Sequence, residues 1–419
     1  MSFLCFTKFF LKGLKRNFKI IRYGDAPEIY NTTAVVERYA FAAPNLTGFS
    51  LSIKELGKHL LSKNLKVYDM PESPFIYCGG SVNNEREFYF FSQLMLDELS
   101  INNYRREENL SFVPTKKVKK TKFDYILSLY LFVLCFFYLF RIKLGPVSLK
   151  YLITYSKVFL NLYTSTRRQN ISASVLVVAN DHTDFPVVAS MVMQYWRKPV
   201  VYVQHAEVSG SFPPLDFDVS ILRNKKTLDV YSDIGKVSGS TYIVPRCQEL
   251  QSLSELFSVH VEARQIVIYL SSVFSQCAVQ ACIDELKKNG GVASVGVKPH
   301  PRADRDFLTT LENVNIYDSI PSFKHVALVP NSSVVIELLE SGVPVFQYFG
   351  LDDIKRDYYG FVNEEIAPEV SLNNLSEPFW KLEFYDEDWL SRFSEYSPSV
   401  NESWRKDLAG LISKMKSYM

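Results

Sequence analysis

The sequence predicts an α/β protein of two Rossmann-like domains facing a cleft. One observation is length: 419 residues are too many for one ordinary core, and a chain that is 47% hydrophobic and 22% charged has the composition of a folded protein. The second is pattern. From about Val175 short β-branched runs alternate with helical stretches, as in a parallel sheet wrapped by helices, and the alternation restarts after a polar interval near 246–264.

The first 24 residues carry Lys8, Lys12, Lys15, Arg16, Lys19 and Arg22, no acid, and an interleaved set of Phe, Leu and Ile. On a helix this is a basic amphipathic segment suited to an anionic membrane surface, where each basic residue contributes about 1 kcal/mol; a basic helix packed on the protein is the alternative. Strands are expected at Ala34–Ala40 and at Phe75–Tyr77, the latter running into Gly79–Gly80. Tyr125–Phe140 is a sixteen-residue apolar run with lysines before it and Arg141 and Lys143 after it. It falls short of the ~20 residues a spanning helix needs and has no charge asymmetry to orient it, so a shallowly inserted helix is favoured over a buried core helix or a span, within a helical insertion over 123–167.

Val175–Ala179 then reads as a strand, Phe185–Trp196 as a helix, and Val200–Val203, Val219–Leu222 and Tyr242–Val244 as further strands closing a first domain over 25–245. Pro245–Arg264 is polar and helical, an interdomain connection. The second domain, 265–385, begins with the strand Gln265–Leu270, the helix Gln276–Lys288 and the strand Ala293–Val297. Strands at Val314–Tyr317, Val326–Val329 and Val343–Tyr348 follow, with a helix to about Glu340, and 386–419 forms a helical tail.

Several function classes drop out. Lys+Arg (47) nearly balances Asp+Glu (45), so there is no global basic field for nucleic acid. Cysteines at 5, 78, 135, 247, 277 and 282 form no C-x-x-C pair, which argues against a disulfide framework or structural zinc and fits a reducing compartment. No cleavage site follows the amino-terminal segment, and no G-x-G-x-x-G, Walker loop or H-E-x-x-H is present.

Ligands of open α/β sheets bind beyond the carboxyl ends of the strands, and three of the six histidines fall there: His182, His205 and His300. Pro330–Asn331–Ser332–Ser333 sits between a buried strand and a helix, where free N–H groups and serine hydroxyls can hold an anion; a plain N-cap is the simpler alternative. Lys298–Pro299–His300–Pro301 lies one βα unit earlier, and Glu337 one turn into the capped helix. Ser271–Ser272, after the first strand of the second domain, is expected to line the same cleft.

With KPHP at 298–301, NSS at 331–333 and ELLESGVPVF at 337–346, the chain resembles bacterial CMP-sugar-dependent transferases that carry an HP and an SS or ST motif, the sialyltransferases, polysialyltransferases and related capsule enzymes. VYVQHAEVSGSFPPLDFD at 201–218 is similar to a loop of nonulosonic-acid and Kdo-type transferases. The resemblance spans roughly 175–365 and implies a GT-B fold with an amino-terminal acceptor domain and a carboxyl-terminal nucleotide-sugar domain. It implies that His300, Ser332 and Ser333 hold the CMP phosphate, with Asn331 and Lys298 in the same loops and Glu337 on the ribose hydroxyls. The amino-terminal part has no counterpart of a base-bearing Asp-Asp-Gly loop.

An inverting transfer needs a base for the acceptor hydroxyl proton. Asp181 ranks first for this role, His205 second and His182 third; Asp184 is read as a helix cap. Asp216-x-Asp218 matches the D-x-D pattern of metal-using transferases, but a CMP donor leaves without a divalent ion, so neither metal nor cofactor is expected. The expected partners are a CMP-activated acidic sugar, a glycan or lipid-linked glycan acceptor and an anionic membrane surface, with the protein on the cytoplasmic face. A CDP-polyol phosphotransferase and a non-catalytic assembly scaffold are the alternatives.

Overall fold

The structure is a computed structural model and describes residues 3–16, 57–58, 60–101, 104–110, 115–141, 146–169, 171, 175–210, 212–246, 264–271, 274–300, 303, 305–352, 354–380, 382–400 and 403–419. The strand expected at Ala34–Ala40 and most of the expected connection 246–264 lie outside these residues. The first half contains α1 (Phe3–Arg16), β1 (Asn64–Val67), β2 (Phe75–Cys78), α2 (Val82–Leu99), β3 (Lys116–Lys119), α3 (Lys122–Arg141) and α4 (Pro146–Gln169). It continues through β4 (Val175–Val178), α5 (Asp184–Tyr195), β5 (Val200–Val203), β6 (Asp216–Leu222), α6 (Lys225–Ile234) and β7 (Ser238–Ile243). The second half holds β8 (Arg264–Tyr269), α7 (Gln276–Lys288), β9 (Val292–Lys298), α8 (Arg305–Leu308), β10 (Asn315–Ile316), β11 (Val326–Val329), α9 (Val334–Glu340) and β12 (Val345–Gln347). Two helices, α10 (Glu387–Phe393) and α11 (Trp404–Lys416), end the chain.

These elements make two Rossmann-like α/β units, as the sequence predicts. The first sheet runs β2-β4-β5-β6-β7 and the second β10-β9-β8-β11-β12, all pairs parallel. Strands β2, β4 and β5 are buried at every residue, as sheets covered on both faces require. In the second sheet the strand order reverses between β8 and β11, so a crevice opens beyond their carboxyl ends.

The amino-terminal helix is packed on the protein along one face. Phe6, Phe10 and Leu14 of α1 are almost fully buried against Tyr155, Phe159 and Tyr195, so the apolar face that suggested membrane contact is part of the domain core. Lys12 pairs with Asp216 at 2.8 Å, and Arg16 donates to the Asp216 carbonyl and lies 4.1 Å over the Phe217 ring. Periodicity identified the helix but could not say whether protein or lipid covered it.

The apolar run after Lys122 is a packed helix with one open face. Leu127, Leu131 and Cys135 of α3 are buried, whereas Ile126, Leu129, Phe136 and Phe137 are exposed. Beside it α1 exposes Leu4, Lys8, Leu11 and Lys15. No helix among the described residues is long and apolar enough to cross a membrane.

The carboxyl-terminal helix α11 returns to the first unit. Leu411, Ile412 and Met415 join a buried cluster with Val177, Val201, Val219 and Phe91, and Asp407 accepts the Ile243 N–H at 2.9 Å. The preceding α10 belongs to the second unit through Trp389 and Phe393.

Candidate active site

Each strand of the first sheet delivers polar residues from its carboxyl end. Beyond β4, Asn180 accepts the N–H groups of His182 and Thr183 through its side chain, a local turn that fixes Asp181 and His182 before α5 begins. Asp181 is fully enclosed. Its two oxygens accept from the Tyr231 hydroxyl at 2.6 Å and from His182 Nδ1 at 2.8 Å. Burial pushes this carboxyl up, but the His182 hydrogen bond and charge, Arg16 and the Tyr231 hydroxyl outweigh it and hold Asp181 below the usual carboxylate range.

Asp181, ranked first for the base, has no surface on which an acceptor could rest, and both its oxygens are engaged. The neighbouring His182 side chain is 19% exposed. A carboxylate accepting from Nδ1 fixes the tautomer with the proton there and leaves Nε2 as the basic nitrogen. His205, beyond β5, lies with its ring centroid 6.2 Å from that of His182. Burial first, then the neighbouring imidazole, lowers the His205 pKa to about 4, so it is neutral at pH 7. Asp184, read as a cap, is instead the first residue of α5, whose N-cap is Thr183 without a side-chain cap bond; the Asp184 carboxylate accepts the Phe185 N–H.

In the second sheet, Ser271 follows β8, Lys298 ends β9 with His300 just beyond it, and Asn331, Ser332 and Ser333 follow β11, so all lie at the carboxyl ends around the reversal of strand order. Asn331 donates to Asp352 at 3.2 Å and accepts the Tyr358 N–H at 2.8 Å. Burial raises Asp352 to about 7 against hydrogen bonds from Asn331 and Ser271. Asn331 and Ser271 therefore brace the loop from within. Ser332, Ser333, Lys298 and His300 are partly exposed and form its open face. Ser333 occupies the N-cap position of α9 without a side-chain cap bond. Lys298 is lowered by burial against the field of Glu337 and Asp318. Ser272 lies outside the described residues.

Glu337, expected on the ribose hydroxyls, is gripped by Arg86 with two bonds of 2.9 and 3.1 Å, and Arg223 and Arg246 approach at 3.4 and 3.7 Å. All three guanidinium groups come from the other domain.

The D-x-D residues sit at the opposite end of the sheet. Asp216 starts β6, and Asp218 accepts the Val200 N–H at 2.9 Å, so both serve the amino ends of their strands. Among the described residues no group of three or more His, Cys, Asp or Glu side chains is placed to hold a metal.

Sequence reasoning missed Tyr231, Asp352 and the three arginines. Arg223 directly follows β6 and Arg246 lies three residues beyond β7, so the strand-end rule that selected the histidines applied to both. Tyr231 lies within α6 and nothing local marks it.

No family model matches the chain, and a search of curated proteins found no match. Among solved structures, the S. aureus MnaA–UDP co-structure is similar over 82% of this chain and 96% of that one, with 11% identity and a TM-score of 0.47. CalG4, the calicheamicin glycosyltransferase, covers 83% of this chain and 98% of its own at 12% identity and a TM-score of 0.44. Phytolacca americana UGT2, complexed with UDP-2fluoro-glucose and pterostilbene, covers 82% and 99% at 9% identity and a TM-score of 0.43.

Proposed function

We propose that the protein is an inverting glycosyltransferase that moves an acidic, nonulosonic-type sugar from a CMP donor to a surface glycan acceptor. The observation that carries the reading is the Tyr231–Asp181–His182 relay at the carboxyl end of the first sheet, an imidazole with its proton held on Nδ1. In this reading His182 Nε2 takes the acceptor hydroxyl proton while that oxygen bonds to the anomeric carbon. The bond from the anomeric carbon to the phosphate oxygen breaks, and its electron pair leaves with CMP. His300, Ser332 and Ser333 donate to the departing phosphate, where preorganised donors stabilise developing charge. His205, held neutral, keeps a second positive charge away from His182.

The KPHP and NSS motifs support the CMP assignment, and a monophosphate leaving group fits a loop that offers hydroxyl and imidazole donors. The open faces of α3 and α1, apolar at Ile126, Leu129, Phe137 and Leu4 with Lys8 and Lys15 beside them, support peripheral attachment to an anionic membrane surface.

The assignment is tested by titrating CMP into the wild type, His300→Ala and the double variant Ser332→Ala/Ser333→Ala, with His182→Gln as the control across the cleft. Weaker binding in the first two variants and wild-type binding in the control fit the proposal. Equal CMP affinity in all four removes these residues from the donor site.

A further inference from the structure

Three guanidinium groups converge at the facing edge of the first domain. Arg86 comes from the first turns of α2, Arg223 from the end of β6 and Arg246 from beyond β7. Glu87, fully buried, sits beneath them: Arg246 contacts it closely, Arg223 lies at 3.5 Å and Arg86 at 3.6 Å. One carboxylate does not balance three cations, and clustering has a visible cost. Burial and then the charge of Arg86 bring Arg246 down to about 9. The Arg223 side chain is only 10% exposed, and its Nε has no partner among the described residues.

The further negative charge in contact comes from the other domain. Glu337 is held bidentately by Arg86, in the paired geometry a guanidinium offers to a carboxylate or phosphate, and is shared with Arg223 and Arg246. Glu207 and Glu340 are nearby, but burial pushes both carboxyls up, and they bond instead to Asn224 and to Ser397. Arg223 also donates to the His205 carbonyl at 2.9 Å, which places the cluster beside the His205–His182 pair.

We propose that Arg86, Arg223 and Arg246 form the recognition site for an oxyanion carried by a sugar substrate, and that Glu337 occupies this site in the absence of ligand. The inference rests on reading the cleft as a sugar-transfer site, and it deepens that reading by requiring an acidic group on the sugar bound near His182. An anion entering the site displaces the Glu337 carboxylate, so filling the site releases a clasp between the domains.

The test uses three probes on the full chain: N-acetylneuraminic acid, its methyl ester and inorganic phosphate, titrated with CMP as an independent reference. Glu337→Gln removes the internal competitor, so it should bind the free acid or phosphate at least fivefold more tightly than the wild type. Adding Arg86→Gln, a change at a half-exposed side chain, should abolish that gain. A gain for the free acid but not its ester assigns the site to a carboxylate, and a gain for phosphate alone assigns it to a phosphoryl group. If Glu337→Gln, with a normal thermal melt, gains affinity for neither anion, the cluster is an interdomain clasp only and the proposal is wrong. Failure of the wild type to bind CMP would sink the donor assignment above while leaving an anion gain in Glu337→Gln intact.

Discussion

Replacing Asp181 by Asn isolates the relay from the rest of the site. Both Asp181 oxygens act as acceptors, one for Tyr231 at 2.6 Å and one for His182 Nδ1 at 2.8 Å, and the side chain is fully buried. An asparagine fits the same space but offers one acceptor and one donor. If its oxygen keeps the Tyr231 hydroxyl, its N–H₂ faces His182 Nδ1, and the imidazole must carry its proton on Nε2. The basic nitrogen then no longer faces the acceptor. A positioned base contributes roughly 10²–10⁴-fold, about 3–5 kcal/mol of barrier, and turnover should fall by that amount with CMP affinity unchanged. Ring ¹⁵N spectra of histidine-labelled protein follow the tautomer independently of substrate: Nδ1–H for His182 in the wild type, Nε2–H in Asp181→Asn. Turnover within twofold of wild type together with an unmoved tautomer would refute the relay.

The fold makes three further predictions. Burial raises Glu340 to about 7 from an ordinary carboxylate value, so its contribution to stability is present below the unfolded pKa and lost as pH rises through about 7. Glu340→Gln should therefore be more stable than wild type at pH 8, by up to about 3 kcal/mol, with the difference gone at pH 4, as read from urea midpoints. Leu411→Ala should cost about 2–5 kcal/mol in the same assay if α11 completes the core of the first unit, and a change below 0.5 kcal/mol would mean the helix is only loosely docked. Ile126→Asp with Phe137→Asp, both on the exposed face of α3, should abolish flotation with vesicles rich in anionic lipid while leaving CMP binding intact. Unchanged flotation would remove this face from the attachment surface.

The second half was the more legible in sequence because parallel strands buried on both faces appear as continuous apolar runs. Val326–Val329 has the bounds expected, and Gln276–Lys288 is the expected helix. The site followed from one topological rule, since His182, His205 and His300 all lie just past strand ends. What sequence could not provide was burial. Asp181 and His182 are adjacent residues with opposite accessibility, and the choice between them depends on Tyr231, fifty positions away. Glu337 looked available to a ligand because its three arginine partners come from remote parts of the chain. The apolar face of α1 looked suited to lipid for the same reason, its cover being supplied by α4 and α5.

The central claim, transfer of an acidic sugar from a CMP donor at the His182 end of the cleft, is tested most directly by a donor screen on the wild type and His182→Gln. CMP-sialic acid, CMP-pseudaminic acid, CMP-Kdo, CDP-glycerol and UDP-sugars are each offered with a mixed glycan acceptor, and the released nucleotide is identified. The account predicts CMP release from at least one acidic-sugar donor and its loss by 10²-fold or more in His182→Gln, the usual contribution of a base. Nucleotide release confined to CDP-glycerol or a UDP-sugar, or full CMP release by His182→Gln, would contradict it.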